Sequence, residues 1–325
     1  SRYYTISEGI QDYVGEDVRV LVSEGCHLYK ESISNLSKGH DRISEVKGVC
    51  EASDVVILCL GLDPGLEGEE GDEGNQYASG DKPNLNLPGM QQEVLETAYA
   101  SGKPVVLILL SGSALAVGWA QEHVPAIIQG WYPGAMGGKA IAEVLFGDKN
   151  PEGRLPVTFY RTTEELPEFT DYAMKDRTYR YMKNEALYPF GYGLSYTEFT
   201  YSDAKLSETE LSEDGIVVSA TLTNTGCREG TETVQVYVKA DREGTPNAQL
   251  KGIKKVTLKA GESRDIQVKL PLNAFGLYDE QAVFRVQKGN YLVPIGGSQP
   301  EARSEELTGR KVAVMGVTAG REYLL

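Results

Sequence analysis

Apolar and polar positions along residues 1–165 follow a pattern that predicts short strands separated by helices. Apolar runs of strand length occur four times, at 19–25, 54–62, 104–112 and 125–132. Amphipathic segments with helical spacing accompany them, at 6–15, 44–53, 90–101, 114–123 and 137–147. Unbroken apolar strands joined by helices are typical of a mostly parallel sheet covered on both faces. Residues 1–165 are therefore predicted to form an α/β sandwich domain.

The pattern changes to an alternation of period two from about residue 198. Short strands broken by Gly, Asn and Asp turns are predicted at 215–226, 232–240, 254–270 and 287–297. Such spacing predicts an antiparallel β-sandwich of immunoglobulin or fibronectin type III kind over residues 198–297. Residues 166–197, rich in Pro, Tyr and Arg, are interpreted as an ordered connector. The tail, 298–325, contains KVAVMGV, which is either one more strand or vector-derived sequence.

Charge and composition exclude several classes of partner. The chain is 41% hydrophobic and 24% charged, with a net charge of -15. A charge of this sign argues against nucleic acid or an anionic membrane surface as a partner. No apolar run reaches the ~20 residues that a membrane span needs. The chain has no secretory signal and opens at SRYYTISEGI without a methionine, so we expect a piece of a longer protein. A cytoplasmic location is favoured, and oligomerisation is left open.

The sequence offers no cofactor or metal motif. Neither GxGxxG after a strand nor GxxxxGK[ST] occurs, so a nucleotide cofactor has no support. The three histidines, His27, His40 and His123, are too scattered to predict a metal site. Cys59 lies within the apolar run 54–62 and is expected to be a free, buried thiol. We therefore expect neither a cofactor nor a bound metal.

An acidic segment directly follows the apolar run 54–62. GLEGEEGDEGN, residues 65–75, contains five carboxylates and no Lys or Arg, and Asp63 adds a sixth just before it. A charge run by itself is ordinarily a solvated loop. In parallel sheets, however, ligands approach the carboxyl ends of the strands, and the segment lies at such an end. Its position therefore favours a functional role.

Several longer motifs resemble one enzyme family. DVVILCLGLD, the acidic segment, LNLPGMQQEVLETA, GWYPGAMGGKAIAEVLFGDKNPEGRLPVTF and YPFGYGLSYTEFTYS follow one another in order. Together they resemble the C-terminal part of glycoside hydrolase family 3, the β-glucosidases and β-xylosidases. NTGCREGTETVQVYV and LKGIKKVTLKAGES resemble the fibronectin III-like domain of that family. The resemblance covers residues 5–297 approximately.

The resemblance implies a site in the acidic segment. Enzymes of this family take their aspartate nucleophile from a (β/α)8-like barrel and their glutamate acid/base from a loop of the α/β sandwich domain. Laid without a gap on LEGEEGDE, the family pattern places the acid/base at Glu69 and an aspartate at Asp72. A one-residue slip moves the role to Glu70, and Glu67 is the third alternative. The arginine of the pattern is replaced by Glu73, which weakens the alignment.

The implied function is therefore partial. The barrel and its nucleophile have no counterpart in the sequence, and the first strand of the sandwich domain is expected to lie upstream. The chain would belong to a retaining exo-β-glycosidase that acts on terminal β-linked sugars of an oligosaccharide or glycoside. The barrel would come from the same polypeptide or a second chain, and the isolated chain would be inactive. The alternative is a non-catalytic carbohydrate-binding or interaction module.

Overall fold

The computed structural model of the chain describes residues 2–32, 36–38, 40–67 and 82–325. They form two compact units. The first runs to Lys149 and includes Tyr160–Glu165; the second comprises Asn150–Phe159 and Leu166–Leu325. The apolar pattern placed the boundary at 165, whereas 150–159 groups with the second unit. One reason is that Phe159 pairs with Tyr188 as an isolated β-bridge, and its N–H donates to the Tyr188 carbonyl at 3.0 Å.

The first unit alternates helices with parallel strands. In chain order its elements are α1 (Ile6–Val14), α2 (Ile43–Glu51), β1 (Val56–Gly61), α3 (Gln91–Ala100), β2 (Val105–Leu110), α4 (Gly118–His123), β3 (Ala126–Gln129) and α5 (Gly137–Leu145). The strands pair in parallel in the order β1-β2-β3. This confirms the predicted α/β class.

Helices cover the sheet on both faces because successive strand residues point to opposite sides. On one face, Ile108 of β2 packs with Ile6 and Ile10 of α1 and with Ile141 and Ala142 of α5. Leu107 and Leu109 point to the other face and are fully buried, as are Leu95 and Ala98 of α3. Helix α1 begins at a capping box in which Thr5 and Glu8 exchange hydrogen bonds.

Two predictions for this unit are wrong. Residues 19–25 are not a strand: they have no regular secondary structure and form no ladder with any described residue. Val20 still packs against the core while Val22 is exposed, so the apolar positions predict burial but not strand pairing.

Cys59 is free but exposed rather than buried. It lies on β1, an edge strand of the described sheet, beside Ile108 on the face that α1 and α5 cover.

The second unit is a β-sandwich with two short α-helices and a 3-10 turn at Leu272–Phe275. Its elements are α6 (Thr178–Tyr181), β4 (Phe199–Leu206), β5 (Ile216–Asn224), β6 (Gly230–Ala240), β7 (Gln249–Leu258), β8 (Ser263–Leu270), β9 (Leu277–Tyr278), β10 (Phe284–Val286), β11 (Gly289–Gly296), α7 (Ala302–Thr308), β12 (Ala313–Ala319) and β13 (Tyr323–Leu324). Sheets β4-β5-β8 and β12-β11-β6-β7 are antiparallel and enclose a common core. This confirms the predicted fibronectin III-like class.

The tail is part of this sandwich. Strand β12 pairs antiparallel with β11 over seven residues, with Val317 opposite Tyr291. Val317 and Ala319 are buried in the core. Of the two interpretations of KVAVMGV, the additional strand is therefore the one observed. No helix within the described ranges is long and apolar enough to cross a membrane.

Candidate functional site

Three strand ends bring polar residues to one edge of the parallel sheet. Strands β1, β2 and β3 end at Gly61, Leu110 and Gln129. Because the strands are parallel, the segments that follow them, 62–67, 111–113 and 130–132, all leave from the same edge. This is the edge at which ligands bind in open α/β sheets.

The end of β1 is fixed by a buried amide. The Gln91 side chain accepts from the Gly61 N–H at 2.7 Å, and its amide nitrogen donates to the Gly61 and Leu28 carbonyls, each at 2.8 Å. Gly61 has a positive φ of 133°, and a Cβ there would lie 2.0 Å from the Leu110 carbonyl oxygen. Only glycine fits this close approach of β1 to β2.

A short turn then leads to the first residues of the acidic segment. The Leu66 N–H donates to Asp63 Oδ1 at 2.7 Å, and the Glu67 N–H donates to the Asp63 carbonyl at 3.1 Å. Leu66 is buried, so its side chain anchors the turn in the core. Together these contacts fix the backbone at Glu67.

The Glu67 carboxylate is the centre of the site that the described residues form. Oε2 accepts from the Gly112 N–H at 2.5 Å and from the Tyr132 hydroxyl, and Oε1 accepts from the Ser113 hydroxyl. The donors belong to the segments after β2 and β3. One side chain therefore joins the ends of all three strands.

The backbone around the donors is shaped for this contact. A Cβ on Gly112 would lie 2.8 Å from Glu67 Oε2 and 2.9 Å from the Tyr132 ring, so a side chain at 112 would force the site apart. Trp131 has a positive φ of 53°, which is unusual for an aromatic residue. It directly precedes Tyr132 and turns the chain at the end of β3.

Hydrogen bonding keeps Glu67 ionised. Partial burial alone would raise the pKa of the Glu67 carboxyl, but the bonds from Ser113, Tyr132 and Gly112, with the charge of Lys82, outweigh it. The pKa therefore lies below the usual value of 4.5. Burial and the bond to Glu67 raise the pKa of the Tyr132 hydroxyl, so it remains a donor. Burial lowers the pKa of Lys82, partly offset by Glu67, and Lys82 Nζ donates to the Ala114 carbonyl at 3.4 Å.

The predicted site residues have different outcomes. Glu69, Glu70 and Asp72 lie outside the described residues, so their assignment stays a prediction. The third alternative, Glu67, is unsuited to act as the acid, because its carboxylate accepts three hydrogen bonds and its pKa is lowered.

Ser113 and Tyr132 were not predicted as site residues. Their positions immediately after apolar strands were the available signal, but sequence spacing does not show which carboxylate they meet. Among the described residues, no group of three or more His, Cys, Asp or Glu side chains could hold a metal ion. His40 instead bonds Glu93 through Nδ1, at 2.6 Å to Oε2.

Comparison with known proteins agrees with this architecture. Residues 1–196 match the glycosyl hydrolase family 3 C-terminal domain, and residues 232–299 match a fibronectin type III-like domain. A xylan 1,4-β-xylosidase from Xylanibacter ruminicola is 41% identical over 276 residues, covering 82% of this chain and 31% of the relative. A periplasmic β-glucosidase from Salmonella typhimurium is 33% identical over 320 residues, covering 90% of this chain and 41% of the relative.

Solved structures give the same result. A β-glucosidase from Erythrobacter marinus superposes with a TM-score of 0.81 at 29% identity, covering 98% of this chain and 43% of that one. A family 3 β-glucosidase from Bifidobacterium adolescentis gives a TM-score of 0.80 at 27% identity, covering 98% and 46%.

These findings define the class as an α/β domain with a polar site at the carboxyl edge of its sheet, followed by a fibronectin III-like sandwich. The chain belongs to glycoside hydrolase family 3, with its C-terminal domain matched over residues 1–196. It spans 31–41% of the length of the two curated relatives described above.

Proposed function

We propose that this chain is the C-terminal part of a retaining exo-β-glycosidase and that it contributes the general acid/base from its acidic segment. The relatives named above are a β-xylosidase and β-glucosidases, so the proposed substrates are terminal β-linked xylosides or glucosides. Glu69 is the proposed acid/base and Glu70 the second candidate. The nucleophile would come from a barrel domain outside this chain, in the same polypeptide or another.

The observation that carries the proposal is the anchoring of Glu67 at the carboxyl edge of the sheet. Glu69 follows it by two residues in the sequence, so the anchor limits where the Glu69 backbone can go. Six carboxylates fall within residues 63–73. Neighbouring negative charges disfavour ionisation, which is how a glutamate keeps its proton near neutral pH. Such a glutamate can give its proton to the glycosidic oxygen as the bond to the anomeric carbon breaks.

Retaining hydrolysis requires a second carboxylate. That group attacks the anomeric carbon from the opposite side and forms a glycosyl ester, which water then hydrolyses with the first residue acting as base. In such enzymes the two carboxyl groups lie about 5–5.5 Å apart. Since the family takes its nucleophile from the barrel, the isolated chain should be inactive.

The first test compares the 325-residue chain alone with the same chain joined to a family 3 barrel. Aryl β-glucosides and aryl β-xylosides are the substrates. We expect no turnover by the chain alone and turnover when the barrel is present. Hydrolysis by the chain alone would place the nucleophile within it and refute the proposed division of the site. A barrel-joined chain whose activity is indifferent to every change in the acidic segment would favour a non-catalytic module.

The second test assigns the acid/base in the barrel-joined enzyme. Glu69→Gln should reduce kcat/KM severely for a disaccharide, by roughly 10²–10⁴-fold, because its leaving group needs protonation. An activated aryl glycoside should lose little in kcat/KM but should become slow in deglycosylation. Azide, which needs no general base, should restore its turnover and yield a β-glycosyl azide. Glu70→Gln is the matched control: azide rescue there, and not at Glu69, would move the assignment by one residue.

A further inference from the structure

We propose that Glu67 is a positioning residue for the general acid/base: through Gly112, Ser113 and Tyr132, its carboxylate holds the start of the acidic segment against the strand ends. This inference rests on the proposed function and concerns residues other than Glu69 and Glu70. Glu67 does not give up a proton in the reaction. Its carboxylate holds the Glu67 backbone, two residues before the proposed acid/base, at the strand ends.

The geometry of the contact supports a positioning role. Glu67 Oε2 accepts two hydrogen bonds and Oε1 accepts one, from donors 45, 46 and 65 residues further along the chain. Two donors are hydroxyls and the third is a backbone N–H. A solvated charge run would need none of them. The contact therefore ties the acidic segment to two separate turns that the sheet itself holds in place.

The charged groups around Glu67 favour its ionised form. Its own turn contributes Asp63, whose charge raises the pKa of the Tyr132 hydroxyl. The residues after the acidic segment contribute Lys82, whose positive charge lowers the pKa of Glu67. The turn after β2 contributes the uncharged donors Gly112 and Ser113, and the turn after β3 contributes the Tyr132 hydroxyl. Among the described residues, the three donors and the charge of Lys82 thus outweigh the effect of partial burial on Glu67.

Neither Glu67→Gln nor Glu67→Asp reproduces these contacts in full. In Glu67→Gln, an amide NH₂ replaces one carboxylate oxygen and faces a donor. With the amide oxygen toward Gly112 and Tyr132, the NH₂ faces the Ser113 hydroxyl, which must rotate to accept. The bonds that remain are then neutral and weaker than bonds to a carboxylate. In Glu67→Asp the side chain is one methylene shorter and the three donors are no longer in reach together. Misplacement of a reacting group by 1 Å can cost about 10²-fold in rate, so a loosened anchor is expected to be visible in kinetics.

The experiment measures kcat/KM in the barrel-joined enzyme with two substrates, a disaccharide and an activated aryl glycoside. Glu67→Gln should lower kcat/KM for the disaccharide by roughly 10–100-fold. The value for the aryl glycoside should stay within about threefold, because its leaving group needs little protonation. Misfolding would lower both values equally. Tyr132→Phe should give a smaller loss in the same direction, and Ser113→Thr, which keeps the hydroxyl, should lose less than Ser113→Ala.

Two control variants, a double variant and a hydrogen-exchange measurement make the result specific. Glu122→Gln on α4 and Tyr278→Phe on β9 are exposed positions and should leave both substrates unchanged. The double variant Glu67→Gln/Tyr132→Phe should be no worse than Glu67→Gln, because both changes break one unit. In the 325-residue chain, hydrogen exchange at the Gly112 amide should be slow and should accelerate in Glu67→Gln.

The outcomes separate this inference from the proposed function. Suppose that Glu69→Gln lowers kcat/KM for the disaccharide far more than for the aryl glycoside, while Glu67→Gln behaves like Glu122→Gln. That result would overturn the positioning role alone. Azide rescue of the Glu67 variant would make Glu67 itself the acid/base and overturn it as well. No leaving-group dependence at Glu69 or Glu70 would refute the proposed function, and the positioning role with it.

Discussion

The Glu67 carboxyl is half-buried, and its three hydrogen bonds stabilise the ionised form over the protonated one. Its pKa in the folded chain is below 4.5, so the contribution of its ionisation to stability is fully present above pH 4.5. That contribution is lost as the pH falls through the folded-state pKa. The acidity of this one residue is thus linked to the stability of the first unit.

We predict that Glu67→Gln lowers the free energy of unfolding of the first unit by about 1 kcal/mol at pH 7. The difference from the parent chain should shrink below pH 4.5, where the parent loses its own ionised carboxylate. Urea unfolding followed by tryptophan fluorescence measures this, because both tryptophans, Trp119 and Trp131, lie in the first unit. An equal difference at pH 7 and at acidic pH would contradict the role of ionisation.

The pKa of the Glu301 carboxyl is shifted in the opposite direction to that of Glu67. Burial, with the charge of Glu185 as a second cause, raises its pKa to about 7, and its Oε1 is buried without a hydrogen-bond partner. An acid with a raised folded-state pKa costs stability once it must ionise, so stability falls as the pH rises from 4.5 to about 7.

We therefore predict that Glu301→Gln raises the thermal midpoint of the second unit at pH 8 and has little effect at pH 4.5. Thermal unfolding followed by far-UV circular dichroism at the two pH values measures the change. Glu280→Gln, an exposed position, is the matched control and should show no dependence of this kind. An equal rise in the thermal midpoint at both pH values would exclude the ionisation of Glu301 as its cause.

Residue roles in the acidic segment were beyond sequence reasoning for a physical reason. Glu67, Glu69 and Glu70 are chemically alike and lie within four residues of one another, and the resemblance orders them only by alignment. What distinguishes Glu67 is the set of donors at 112, 113 and 132, which only the folded sheet brings to it. The location of the site, at the end of β1, could be predicted because it depends only on the order of strand and loop.

At the scale of elements, the end of β1 depends on α3 through Gln91. This side chain is buried and satisfies both the N–H and the carbonyl of Gly61, as well as the Leu28 carbonyl. We predict that Gln91→Leu destabilises the first unit by about 2–4 kcal/mol, because it leaves buried backbone groups without partners. Urea unfolding by tryptophan fluorescence is the measurement. Gln92→Leu, one position along α3 and less buried, should cost far less.

Elements were predictable where neighbours in sequence decide the structure. The apolar period identified β1, β2 and β3 and the helices between them. The run 19–25 also has apolar positions but forms no ladder with the described residues, because a strand also needs a pairing partner that periodicity does not reveal. The burial predicted for Cys59 was wrong for a related reason. An apolar run predicts burial on both faces, yet an edge strand is covered less completely than a central one.

At the scale of the whole molecule, three distant stretches meet at Glu232, which is fully buried on β6. Arg154, from the segment 150–159, contacts its Oε1 at 3.0 Å, and Arg310, from the tail, lies 3.6 Å from its Oε2. Breaking a buried ion pair by removing one partner is costly because a charge remains unpaired. The segment 150–159 and the tail are therefore parts of the second unit.

Truncation after Gly297 tests this account of the tail. It removes β12, which leaves β11 without its outer neighbour; it removes Val317 and Ala319 from the core; and it removes Arg310 from Glu232. We predict a clear drop in the thermal midpoint of the second unit, measured by far-UV circular dichroism, with the tryptophan-monitored transition of the first unit as internal reference.

Arg310→Met should lower stability less than the truncation, since Arg154 still pairs with Glu232. Arg154→Met should cost about 3–5 kcal/mol, because the closer partner is lost. A truncated chain with an unchanged midpoint would mean that β12 and Arg310 contribute no stability, and the sandwich would then end at β11.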